Sequence, residues 1–90
     1  MEYRRTVRIR NSQGLHARPC HAIVSAALEF RSDLRISCGS REVNGKSILE
    51  LMTLNAGCGT DLEIAACGED AQTLIERLAA LVESGFGESP

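Results

Sequence analysis

Asn11-Ser12-Gln13-Gly14-Leu15-His16-Ala17-Arg18-Pro19 joins two segments of different periodicity. Before it, Tyr3, Arg5, Val7 and Ile9 alternate with Arg4, Thr6, Arg8 and Arg10, which predicts a half-buried strand over 3–9. Arg5 alone interrupts the apolar face. After it, Ala17, Cys20, Val24, Ala27 and Leu28 recur at helical spacing, with Ile23 widening the stripe, so a helix is predicted from 17 to about 30. Ser12-Gln13-Gly14 carries turn chemistry, Gly14 being free to take φ > 0. Pro19 falls in the first helical turn, where its missing N–H removes no hydrogen bond. His16 therefore stands at the open N-terminus of a helix, beside unpaired backbone N–H groups and the positive end of the dipole. Arg18 lies two residues on. An imidazole nucleophile, an anion-binding helix end and a guanidinium are the parts of a site that carries a phosphoryl group. A histidine that merely caps a helix explains the position of His16 but not the company it keeps. His21 flanks the apolar stripe and reads as a partly exposed helix residue rather than a second active histidine.

The later segments supply what this first pair needs to fold. Leu34, Ile36 and Cys38 alternate with Arg35 and Ser37 in a second strand. Gly39-Ser40 reads as a tight hairpin turn returning through Arg41-Glu42-Val43. Ile48, Leu51 and Met52 are spaced i, i+3, i+4, and Ser47 with Glu50 forms a capping box, which predicts a short helix. Asn55-Ala56-Gly57-Cys58-Gly59 is a connecting loop of small residues. Leu62, Ile64 and Ala66 alternate with Asp61, Glu63 and Ala65 in a fourth strand. Glu69 and Asp70 put acid at the start of a last helix, whose buried stripe is Ala71, Leu74, Ile75, Leu78, Leu81 and Val82, with Gly85 as its C-cap. The tail, 86–90, is expected to fray. The order is βαββαβα: one sheet with a buried face, covered by amphipathic helices.

Composition narrows the function. Ninety residues make one domain over 1–90, able to bury about 60–65% of its unfolded surface. A net charge of −2 and only three aromatics, Tyr3, Phe30 and Phe86, leave little with which to bind nucleic acid. The arginines crowd the N-terminal fifth, either as a solvated strand face or as a lure for an acidic partner. No apolar run reaches membrane-spanning length and the start is no signal peptide, so a cytoplasmic, membrane-free protein is expected. Cys20, Cys38, Cys58 and Cys67 show no paired or zinc-finger spacing. Four free thiols, each a small buried hydrophobe on or beside an apolar pattern, are expected, with no metal and no cofactor.

Two stretches carry a resemblance. Gly14-Leu15-His16-Ala17-Arg18-Pro19 resembles the active-site signature of the histidine-containing phosphocarrier (HPr) proteins of the bacterial phosphoenolpyruvate-dependent phosphotransferase system. Val43-Asn44-Gly45-Lys46-Ser47-Ile48 is similar to that family's second signature, around a regulatory serine, and the element order matches from about residue 3 to 84. The resemblance implies an α+β open-faced β-sandwich: a four-stranded antiparallel sheet covered on one face by three helices. It implies that His16 accepts a phosphoryl group at Nδ1 from enzyme I and passes it to an enzyme IIA domain, as a stoichiometric monomeric carrier rather than a turnover enzyme. Arg18 and the backbone N–H groups of Ala17 and Arg18 would stabilise the phosphate. Ser47 resembles the serine modified by the HPr kinase/phosphorylase, with a transcriptional regulator as a further partner. Leu15, Cys20, Leu49 and Met52 match positions that dock partners in the family. A carrier on a regulatory, nitrogen-type branch, or a non-transferring adaptor using Leu49 and Met52, are the alternatives. Cys20, His21 and Gly45 depart from the family's usual residues.

Overall fold

In the computed structural model, which describes residues 1–88, the alternating and helical segments fold in the expected order. They are β1 (Glu2–Arg8), α1 (Ala17–Ala27), β2 (Asp33–Cys38), β3 (Arg41–Asn44), α2 (Ile48–Met52), β4 (Asp61–Cys67) and α3 (Ala71–Glu83), followed by a 3-10 turn at Gly85–Gly87. The strands form one antiparallel sheet in the order β1-β4-β2-β3. Its register sets Val7 opposite Leu62, and Ile36 opposite both Ile64 and Val43. These side chains therefore share one face, and each is buried. The helices close that face with Cys20, Ile23, Val24 and Ala27 from α1, Leu51 from α2, and Leu74, Leu78 and Val82 from α3. Each of these valines, leucines and isoleucines contributes roughly 1.5–3 kcal/mol through its removal from water.

The other face is charged and open. Arg4 lies 2.8 Å from Glu63 and Arg8 2.9 Å from Asp61, so the basic stripe of β1 is answered by the acids of β4. The Arg8 guanidinium holds the Asp61 carboxyl below its ordinary range. Arg5, which spoiled the apolar alternation, reaches out to Glu83 at the end of α3, 3.7 Å away. The N-terminal arginines of β1 are thus a solvated, ion-paired face.

Three expectations need correcting. The α1 helix ends at Ala27 and residues 28–30 turn, so Leu28 is exposed rather than part of the stripe. Cys58 and Cys67 are exposed, Cys67 because it falls on the outward parity of β4 with Asp61 and Glu63. Only Cys20 is a buried thiol, its ionisation pushed up by burial. Asp70 begins α3 but does not cap it. Its carboxylate accepts hydrogen bonds from the Ser32 hydroxyl and the N–H groups of Arg31 and Ser32, clasping the start of β2. The Ser32 hydroxyl, then the Arg31 N–H, hold its pKa down to about 2.

Candidate functional site

The turn that presents His16 is built from both sides. Gly14 takes φ 68°, and a Cβ there would lie 2.4 Å from the Ala56 carbonyl oxygen and 2.7 Å from Gly57 Cα. Only glycine fits this combination of left-handed backbone and close approach. The Leu15 N–H donates to the same Ala56 carbonyl at 2.8 Å, tying the turn to the loop before β4. From beneath, the buried Asn11 amide donates to the Gly14 carbonyl at 2.8 Å. With the turn so held, His16 becomes the N-cap of α1 in extended backbone (φ −83°, ψ −173°), and its side chain makes no capping bond.

The helix end is left open for a definite reason. The Cys20 N–H already bonds the His16 carbonyl at 3.2 Å, and Pro19 has no N–H. The remaining donors of the first turn are the N–H groups of Ala17 and Arg18, the two the family resemblance names. Arg18 is exposed and makes no ion pair among the described residues. It shares an open cleft of about 490 Å³ with His16, walled by Ser12, Gln13 and the 86–88 segment. The site thus brings together a half-exposed imidazole, two aligned N–H donors and a free cation. An incoming oxyanion meets donors that need no rearrangement to receive it.

Glu88 completes the cleft and was missed in the sequence. Residues 86–88 do not fray, contrary to expectation; 89–90 lie outside the described residues. Ser84, not Gly85 as expected, is the C-cap of α3, and then Gly85, Phe86 and Gly87 all take positive φ (72°, 59° and 74°), turning the chain back. This brings the Glu88 carboxylate to 3.1 Å from His16 Nε2 and 3.2 Å from the Asn11 amide nitrogen. A glycine on each side of a lone aromatic just past a helix is the one signal in the sequence for such a reversal.

Ser47 is the N-cap of α2, accepting from the Glu50 N–H at 3.2 Å. The capping box is altered, since Glu50 reaches back to the Asn44 N–H at 3.0 Å rather than to Ser47. Lys46 is committed elsewhere, its ammonium donating to the Phe30 carbonyl at 2.9 Å. Gly45, one of the departures from the family, is explained by Leu34: a Cβ on Gly45 would lie 2.4 Å from its side chain. The bulk common at position 45 is supplied here from β2. Of the four expected docking residues, Leu15 and Cys20 are buried, 6% and 0% exposed, because both face inward where the turn meets α1. Leu49 and Met52 are exposed, 80% and 41%, and the apolar surface is theirs. His21 is exposed on α1, outside the cleft's lining. Among the described residues no cluster of histidine, cysteine or carboxylates has the makings of a metal site, and no helix is long and apolar enough to cross a membrane.

Comparison with known proteins agrees with this geometry. The family model described as "PTS HPr component phosphorylation site" matches residues 3–84. The chain is 38% identical over 84 residues to the phosphocarrier protein HPr of Treponema pallidum, covering 93% of this chain and 96% of that protein. Its fold superimposes on the crystal structure of HPr-C-His from Thermoanaerobacter tengcongensis with a TM-score of 0.93 at 36% identity, over 98% of this chain and 99% of that one. It is also similar to Crh of Bacillus subtilis, described as a swapped-domain dimer, with a TM-score of 0.76 at 40% identity over 88% and 91% of the two chains. An imidazole at an open helix end, in this sheet order and with these relatives, makes the chain a member of the HPr phosphocarrier family of the phosphotransferase system.

Proposed function

We propose that this carrier takes its phosphoryl group on His16 from phosphorylated enzyme I and delivers it to an enzyme IIA domain. The observation that carries the reading is the N-cap position of His16, with the N–H groups of Ala17 and Arg18 unpaired among the described residues and the Arg18 guanidinium on the same cleft. A phosphoryl group on Nδ1 would set its oxygens against these donors, which neutralise charge without performing chemistry of their own. The site therefore holds the group without committing it. Exposed Leu49 and Met52 on α2 support a docking role beside the histidine, where apolar side chains can be covered by a partner. Ser47, at the start of the same helix, supports a regulatory role: phosphate added there would put ~1.5–2 negative charges next to that surface. The working form is taken as a monomer, and equilibrium sedimentation tests this against the swapped dimer described for Crh.

The deciding experiment is labelling by enzyme I and phosphoenolpyruvate. The parent should gain one acid-labile, base-stable phosphoryl group. His16→Ala should abolish it and His21→Ala should leave it intact. Undiminished labelling of His16→Ala would overturn the assignment, and an unlabelled parent would favour the non-transferring adaptor.

A further inference from the structure

We propose that Glu88 is the positioning residue of this site, holding a proton on His16 Nε2 throughout the relay so that Nδ1 alone takes and gives the group. The inference rests on the carrier reading above and deepens it. His16 Nε2 lies 3.1 Å from one Glu88 carboxylate oxygen and 3.4 Å from the other. A carboxylate only accepts hydrogen bonds, so the contact assigns a proton to Nε2, and in the neutral ring Nδ1 then carries the free lone pair. Glu88 is itself anchored. The Asn11 amide donates to it at 3.2 Å while donating to the Gly14 carbonyl at 2.8 Å, and these two acceptors fix which end of the buried amide is nitrogen. One asparagine thus ties the carboxylate to the turn that presents the histidine.

The backbone carries independent support. Phe86, a bulky non-glycine residue, holds φ 59° between two glycines of positive φ. That conformation is costly for an L-residue and persists only where neighbouring contacts enforce it. Here the Phe86 ring packs against the core and the Glu88 N–H bonds the Gly85 carbonyl at 3.0 Å. Glu88 also ignores the obvious partner: Arg18 lines the same cleft, yet the carboxylate pairs with the imidazole. The guanidinium, unpaired with any carboxylate among the described residues, is left for the phosphoryl oxygens.

The step balances without a proton leaving. The Nδ1 lone pair attacks phosphorus on the donor's phosphohistidine and an N–P bond forms. The donor's N–P bond breaks with its electron pair returning to the donor nitrogen. The His16 ring, neutral before, is now an N-phosphoryl imidazolium with its proton still on Nε2, facing the Glu88 carboxylate. On delivery the acceptor nitrogen attacks, the electron pair returns to Nδ1, and the ring is neutral again with the same proton. Glu88 stabilises the imidazolium, which is the better leaving group.

The test compares parent, Glu88→Ala and Glu88→Gln by ¹⁵N NMR of the unphosphorylated His16 ring and by steady-state transfer, with thermal melts to verify folding. In the parent, Nε2 should read as protonated and Nδ1 as bare. Glu88→Ala should give averaged shifts of exchanging tautomers. Glu88→Gln, whose side-chain carbonyl can still accept, should keep the parent pattern. In transfer, Glu88→Ala should lower kcat about tenfold with KM little changed, and Glu88→Gln should fall between. The effect is far below the ~10⁴ of a buried triad carboxylate, because the His16 and Glu88 side chains are 35% and 17% exposed. Parent-like ring shifts in Glu88→Ala would overturn the contact. An unchanged kcat, or a raised KM at unchanged kcat, would overturn the positioning role. Failure of the carrier reading looks different: the parent then takes no label at His16, whatever its ring spectrum.

Discussion

Two helix N-termini in this molecule begin with a polar residue and end up opposite in character. At α2, the Ser47 hydroxyl accepts from the Glu50 N–H and the Glu50 carboxylate accepts from the Asn44 N–H, tying the start of the helix to the loop before it. At α1, His16 caps nothing, and the N–H groups of Ala17 and Arg18 stay open. The first end is closed by a side-chain cap that adds stability; the second stays open, without such a cap, and His16 and Arg18 line a cleft there. A third end, at α3, shows another use of a capping residue, with Asp70 turned away from its own helix to grip Arg31 and Ser32. Position at a helix start does not decide a residue's task. What decides it is which neighbours reach the same donors first.

The largest effect should come from breaking the turn that keeps the α1 end open. Gly14→Ala forces a Cβ to 2.4 Å from the Ala56 carbonyl oxygen at φ 68°. We expect it to cost at least ~2 kcal/mol in denaturant unfolding and to slow labelling of His16. A variant as stable as the parent would mean the loop at 56–57 yields easily. Next, Ser47→Asp loads the closed end with charge beside Leu49 and Met52. The apparent KM of enzyme I for the carrier should rise about tenfold, more than kcat falls, since desolvating the charge penalises only the complex. The Lys46 ammonium is held on the Phe30 carbonyl and would have to leave that bond to pair with the new charge. Equal KM for variant and parent would leave Ser47 as a cap alone.

The comparison itself is sharpest in a pair of melts. Ser47→Ala should lose ~1 kcal/mol and several degrees of Tm while transferring at nearly the parent rate. His16→Ala should lose all transfer while costing under ~0.5 kcal/mol, since it removes no cap. If the costs were reversed, the assignment of open and closed ends would be wrong. The smallest effect belongs to α3. Asp70 has its pKa lowered to about 2 in the folded protein, so its contribution is present above the ordinary carboxylate range and is lost as pH falls toward 2. Asp70→Asn should lack that part of the acid dependence. An identical loss of stability between pH 4 and 2 in both proteins would show that the clasp on Ser32 carries none of it.

Much of this was legible in the chain because it is local. Strand alternation, helical stripes and the Gly14 and Gly39 turns each depend on residues within about ten positions, and they suffice for the order βαββαβα. His16, Ala17 and Arg18 were legible as a site for the same reason: Pro19 and the helix phase alone determine which N–H groups stay free. Family resemblance added the sheet's antiparallel arrangement, and it also placed Leu15 and Cys20 on a docking surface, where they are not. Their burial depends on how the turn packs on the core. Arg5 was ambiguous until Glu83 came into reach across α3. Asp70 was legible only as acid at a helix start because its partners lie 38 and 39 residues away. Glu88 is the extreme case, 72 residues from His16 in the chain and in contact with it in the fold. Periodicity carries no information across such a separation. Only closure of the sheet, which sets the end of α3 beside the turn after β1, brings carboxylate and imidazole together.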